Sequence, residues 1–310
     1  MFHTHDLQHS HRYLPGTYQI NYYPSRDVPK SATRNTLNLS DPSPWIDRFR
    51  EISSDLVLDD GSLPRTAHGL PPIASNDDYV IFCNFNKIQK FDRKTFMLWL
   101  SILRRVPKSV LWLLRPSARH EVDTVRTLDI RDYMYRSSHS TQVRRNLEKE
   151  AKAFGVLPSR IVWAPRVPKV AHLARHRHAT LFLDTLIYNA HSTASDSLFG
   201  GLPVLTCPAQ PFAGRVAAAL LRAVGVPELI VSDVREYEDL AVRLGRSPKL
   251  IRHLRRRLLN AQSLPLFDAV QYRKNFERST LVMSDMRRLC DGDSSVMNLV
   301  VAPALTRVNN

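Results

Sequence analysis

The sequence predicts an α/β fold built on a doubly wound parallel sheet, and three observations predict it. From residue 79 onward, short apolar runs rich in β-branched and aromatic residues recur along the chain. Segments of helical periodicity separate most of them. The runs are continuously apolar rather than alternating, as strands covered on both faces must be, and strands alternating with helices imply a parallel sheet. At 310 residues and 43% hydrophobic content the chain is also large enough to bury the core such a sheet needs.

Each element can be justified in order. YVIFCNF (79–85) is the first strand. DRKTFMLWLSILRRV (92–106) places Phe96, Leu100 and Leu103 on one helical face behind Asp92, a preferred N-cap residue. SVLWLLR (109–115), RIVWA (160–164), ATLFLDT (179–185), LPVLT (202–206) and ELIVS (228–232) are further strands. Residues 118–155 are basic and polar and end in a helix, with 118–141 read as an insertion. TASDSLFGG is a helix that closes on two glycines. In 243–262, Leu250, Leu254, Leu258 and Leu259 recur at helical spacing with arginines between them. The domain reading is an irregular segment over 1–75 with a short helix at 44–53, a lobe over 76–260, a helical segment over 261–290 and a flexible tail over 291–310.

Composition narrows the function classes. No apolar run approaches the ~20 residues of a membrane-spanning helix, and the first residues lack the basic-then-apolar order of a secretory signal. Cys83, Cys207 and Cys290 are odd in number and far apart, which fits a reducing cytosol or nucleus rather than a disulfide framework or zinc site. His3, His5, His9 and His11 lack a Cys or carboxylate partner in a ligand spacing and read as a histidine-rich tail. The net charge of +15 favours anionic partners without naming one. The basic helix in 243–262 reads first as a solvated face and second as an anionic contact surface. Asp291-Gly292-Asp293 matches the DxD pattern of metal-dependent sugar transferases but lies in the tail rather than at a strand end, so no metal site is assigned.

Chemistry collects at the strand exits. In open α/β sheets, ligands bind beyond the carboxyl ends of the strands, where helix N-termini present free N–H groups and partial positive charge. His191, Ser192 and Thr193 stand on the step from strand to helix, where N–H groups and hydroxyls suit a diphosphate, and Asp196 one turn later suits ribose hydroxyls. The same residues also read as a plain helix cap, and the segment alone does not decide between the two. Lys87 and Lys90 follow one strand, and Lys169, His172 and Arg175 follow another. Cations at several strand exits exceed what capping requires. No glycine-rich phosphate loop of either common type is present.

In order, CNFNKIQKFD, WLSILRRVPKSVLWLLR, RIVWAPRVPKVAHLARH, LFLDTLIYNAHSTASDSLFGGLPVLT, GRVAAALL, ELIVSDVREYEDLAVRLG and PLFDAVQYRKNFE resemble the C-terminal lobe of the nucleocytoplasmic protein O-GlcNAc transferases over about residues 76–285. LPGTYQINYYP (14–24) is more weakly similar to the end of that family's N-terminal lobe. The resemblance implies the Rossmann-like C-terminal lobe of a B-type glycosyltransferase. It implies an inverting, metal-independent transfer of N-acetylglucosamine from UDP-GlcNAc to serine or threonine of cytoplasmic and nuclear proteins, with no cofactor. It places Lys90 on the donor diphosphate as the catalytic residue. It places Lys169, His172, the Val167 backbone and Leu173 to Arg175 around the uridine, His191, Ser192 and Thr193 at the diphosphate and sugar, and Asp196 on the ribose.

The sequence departs from the family at Lys87, which replaces a glutamine of its animal members, at Ser192, which replaces a threonine, and at Tyr188, which replaces a small residue beside the donor pocket. A tetratricopeptide array and nearly all of an N-terminal lobe are missing from the 310 residues, so the isolated chain is expected to bind donor and transfer it poorly. Two other readings compete. One is protein O-fucosyl transfer from GDP-fucose, which a related branch performs. The other is a non-catalytic nucleotide-sugar-binding module. Nucleic-acid binding ranks last for want of a motif. The partners implied are UDP-GlcNAc, UDP and Ser/Thr-containing acceptor proteins.

Overall fold

A computed structural model describes residues 11–13, 65–71, 79–116, 130–260, 266–289 and 298–300. Its centre is a five-stranded parallel sheet of β2 (Val80–Asn84), β3 (Ser109–Leu114), β4 (Ile161–Ala164), β5 (Leu181–Leu183) and β6 (Val204–Leu205), in the order β4-β3-β2-β5-β6. Cys83 lies opposite Trp112 on one side and Phe182 on the other, so β2 is the middle strand. From β2 the chain builds outward through β3 to β4, then returns to β2's free side to lay down β5 and β6. The order therefore reverses between β2 and β5, the switch point at which open α/β sheets form a crevice beyond the carboxyl ends of their strands.

Helices cover the sheet for reasons visible in their residues. Helix α1 (Arg93–Arg105) starts where Asp92 Oδ1 accepts the Thr95 N–H at 2.9 Å and the Thr95 hydroxyl at 2.7 Å, and it buries Phe96, Trp99, Leu100 and Leu103. Residues Ile130–Ala153 form one helix, α2, which starts inside the span that the sequence reads as an insertion. The short α3 (Lys169–Arg175) follows β4, and α4 (Ser192–Phe199) follows β5. Gly201 closes α4 at φ +72°, a conformation that favours glycine, with Leu259 packed where a Cβ would stand. After α5 (Val216–Ala223) comes α6 (Val234–Gly245), whose last residue has no side chain and so lets the helix end approach the Phe82 ring. Trp99, Trp112, Phe82, Phe182 and Tyr237 are fully buried in the resulting core.

Several elements differ from the sequence expectation. ELIVS contributes only an isolated bridge between Ile230 and Thr206, because Pro227–Leu229 turns as a 3-10 helix. In α7 (Pro248–Asn260) the buried face is Ile251, Leu254 and Leu258, whereas Leu250 and Leu259 are exposed at 37% and 43%. The tail does not run free throughout, since β7 (Asn298–Val300) pairs in parallel with β1 (His11–Tyr13), which lies in the segment expected to be irregular. The expected helical segment is present as α8 (Ala269–Leu289). The expected helix at 44–53, the LPGTYQINYYP stretch, His3, His5, His9 and Asp291-Gly292-Asp293 lie outside the described residues. Among the described residues no helix is long and apolar enough to cross a membrane.

Candidate active site

The residues expected at the strand exits converge on the crevice between β2 and β5. On leaving β2, Asn84 donates its side-chain N–H to the Leu183 carbonyl at 2.7 Å and accepts the Asn86 N–H at 2.9 Å, which ties the two strand ends together. The chain then turns through a 3-10 helix, Ile88–Lys90, leaving Lys87 exposed and Lys90 half-buried. Lys90 Nζ donates to the Asn189 carbonyl at 2.9 Å and lies 4.0 Å from the centre of the Tyr188 ring. Burial and the neighbouring Lys87 hold its pKa below the usual lysine value, while the Asp184 carboxylate opposes that shift. The Tyr188 ring also meets the His191 imidazole, with centroids 4.9 Å apart.

The loop carrying these groups hangs on Asp184, which the sequence reading missed. Its carboxylate accepts the Ala190 N–H at 2.7 Å, the Thr185 N–H at 2.8 Å and the Thr206 hydroxyl at 2.8 Å, and its carbonyl accepts the Tyr237 hydroxyl at 2.9 Å. The residue is 1% exposed, and burial pushes its pKa up to about 7 against these hydrogen bonds and the Lys90 charge. Asn189 is fixed as well, donating to the Thr185 carbonyl at 2.7 Å and, through its backbone, to the Ala213 carbonyl at 2.9 Å. The only sequence signal for Asp184 was a carboxylate ending an otherwise apolar strand.

Helix α4 begins beyond this loop. No side chain caps its first turn, where Ser192 is exposed and Thr193 half-buried, so the helix start keeps N–H groups and partial positive charge for a ligand. His191, the residue before it, sits 3.2 Å from the Ala213 carbonyl through Nε2, and burial lowers its pKa. One turn in, Asp196 is buried and accepts from Lys169 Nζ at 2.5 Å, while His172 Nε2 lies 3.8 Å from its other oxygen. The β4 exit and the β5 exit are thus joined across α4. His172 is held neutral, its pKa depressed by burial and then by the nearby His176, Arg175 and Lys169.

Not every expected contact faces the opening. Val167 and Leu173 are half-buried beside Lys169, but Arg175 is 1% exposed and turned inward. Its guanidinium lies 4.2 Å over the Phe85 ring, donates to the Pro165 carbonyl at 2.7 Å and contacts His172 Nδ1 at 2.6 Å. Arg175 therefore holds His172 and the turn before α3 rather than presenting its charge to the crevice. On α7, Arg255 is spent on the Ala179 carbonyl, and Arg257 on Glu228 and the Gly225 carbonyl, which leaves Lys249, Arg252 and Arg256 exposed.

Known proteins are similar to this chain in sequence and in fold. Residues 50–276 match the profile of Glycosyl transferase family 41. A Caenorhabditis elegans relative, "UDP-N-acetylglucosamine--peptide N-acetylglucosaminyltransferase", is 37% identical over 202 residues, covering 65% of this chain and 16% of the relative. An Arabidopsis thaliana relative, "Probable UDP-N-acetylglucosamine--peptide N-acetylglucosaminyltransferase SEC", is 34% identical over 251 residues, covering 80% of this chain and 22% of the relative. A solved Thermobaculum terrenum O-GlcNAc transferase variant superimposes with a TM-score of 0.53 at 26% identity, over 71% of this chain and 38% of that one. The chain thus spans roughly a fifth of the curated relatives it matches. With its family profile running through the parallel sheet and both strand exits of the crevice, the chain belongs to glycosyl transferase family 41.

Proposed function

We propose that this chain binds UDP-GlcNAc in the crevice between β2 and β5 and forms the donor half of a protein O-GlcNAc transferase acting on serine and threonine hydroxyls of cytoplasmic and nuclear proteins. The observation that carries the reading is the convergence of Lys90, the open N-terminus of α4 and the Lys169–Asp196 pair on one switch point. The names of the similar proteins supply the donor and the acceptor class.

The groups suit an inverting displacement. The acceptor oxygen forms a bond to the anomeric carbon as the bond from that carbon to the UDP oxygen breaks, and the acceptor proton passes to solvent or a base. Negative charge grows on the departing diphosphate. Lys90 and the N–H groups of Ser192 and Thr193 can stabilise it where other transferases use a divalent metal. No residue is assigned as general base. In this reading Lys169, His172 and the Val167 backbone contact the uridine and Asp196 the ribose.

The reading is tested by incubating the purified chain with radiolabelled UDP-GlcNAc and a serine/threonine-rich protein mixture. Label incorporation that vanishes in Lys90→Ala supports it. Weak transfer beside clear UDP binding is the result expected of a donor half alone, whereas a chain fused behind a family N-terminal lobe that binds UDP and still transfers nothing favours a second reading, a nucleotide-sugar-binding module. Incorporation from GDP-fucose instead would identify the fucosyl branch.

A further inference from the structure

We propose that Tyr188 is a positioning residue that sets the direction of the Lys90 ammonium toward the donor phosphates, an inference that rests on the donor-site reading above. An ammonium has three N–H donors on a flexible stem. In this chain the Asn189 carbonyl takes one of them at 2.9 Å, and the face of the Tyr188 ring receives the charge at 4.0 Å. Ring and carbonyl belong to adjacent residues, so they act as one bracket around the ammonium, which keeps N–H donors for a phosphate.

The bracket is itself held in place. The Tyr188 carbonyl accepts the Thr185 hydroxyl, the ring meets His191 at an interplanar angle of 64°, and Asn189 is anchored to Thr185 and Ala213. Lys90 is half-buried, so water screens the ring contact only in part. A lysine already pointing at the phosphate loses less rotamer freedom when donor binds. Both ring contacts use the aromatic face and edge, so the phenol hydroxyl is dispensable for this role.

The test is calorimetric titration of UDP into the full chain, comparing the parent with Tyr188→Phe and Tyr188→Leu. Phe should stay within about twofold of the parent, and Leu, which keeps bulk but loses the negative ring face, should weaken UDP by roughly 2- to 30-fold. Thermal unfolding without UDP should be alike for the two variants, because the ring is 41% exposed. Should Leu lower the melting temperature, Tyr188→Met makes the same comparison. Lys90→Ala should cost less in the Leu background than in the parent. Equal affinities for Phe and Leu, or strictly additive effects with Lys90→Ala, would overturn the proposal while the donor site stands. Failure of the parent to bind UDP at all would overturn the donor-site reading and this proposal with it.

Discussion

The Asp184 carboxylate lies 2.7 Å from the Ala190 N–H, closing the strand exit into a loop that carries Tyr188 and Asn189, the two residues in contact with Lys90. Asp184→Ala leaves the Ala190 and Thr185 N–H groups without their acceptor, at about 1–3 kcal/mol each. Urea unfolding should therefore show a loss of at least about 2 kcal/mol. A loss below ~0.5 kcal/mol, the range of neutral surface changes, would show that the loop does not hang on this residue.

The same carboxyl fixes the sign of a pH effect. Its folded pKa, raised to about 7, lies above the ordinary carboxylate value near ~4, so the folded chain keeps a proton that the unfolded chain has lost. Its contribution to stability is full below about pH 4 and is lost as pH rises through 7. Asp184→Asn removes that term, so the parent should lose stability relative to the variant between pH 5 and pH 8. Parallel profiles would contradict the assignment.

Three histidines, His68 and His176 buried and His172 half-buried, act in the opposite sense. Burial lowers His68 to about 4 and His176 to about 3, and depresses His172 as well. Below about pH 6.5 the unfolded chain protonates them while the folded chain does not, so acid destabilises the fold, and three such groups outweigh the single carboxylate in that window. His176→Gln should flatten the acid limb by about 1.4 kcal/mol per pH unit, measured by urea unfolding from pH 4.5 to 6.5. An unchanged slope would mean that His176 is not held neutral.

The lysines should separate by position. Lys90 is half-buried and bracketed, whereas Lys87 is exposed, so Lys90→Ala should weaken UDP binding by roughly tenfold or more and Lys87→Ala by less. Lys169→Ala, which removes the ion pair to the buried Asp196, should weaken it too. A larger effect at Lys87 than at Lys90 would show that the diphosphate lies elsewhere.

Metal dependence is a separate question. If Lys90 and the start of α4 hold the diphosphate as proposed, UDP affinity should be the same with and without EDTA. A tenfold or larger loss in chelator, restored by magnesium or manganese, would overturn the metal-free mechanism.

Which parts of this were legible in the sequence follows from the range of the interactions involved. The Asp92 cap could be read because its partner Thr95 is three residues away. The strand exits could be read because lysines and hydroxyls stand directly after apolar runs. Asp184 could not, since its partners Ala190 and Thr206 lie 6 and 22 residues on and no local pattern links them. Arg175 looked like a ligand contact because nothing nearby in sequence shows that Phe85 lies beneath its guanidinium. On α7 the leucines at 250 and 259 fit a helical count as well as Ile251 does, and only the position of the sheet decides which face turns inward.

The central claim, that the crevice between β2 and β5 holds a uridine diphosphate sugar, is tested most directly by calorimetric titration of the purified chain with UDP and with GDP. The account predicts one UDP per chain, bound at least tenfold more tightly than GDP, about 1.4 kcal/mol of discrimination, with UDP affinity lowered roughly tenfold or more in Lys90→Ala. Equal affinity for the two nucleotides, or UDP affinity undiminished in both Lys90→Ala and Lys169→Ala, would contradict it.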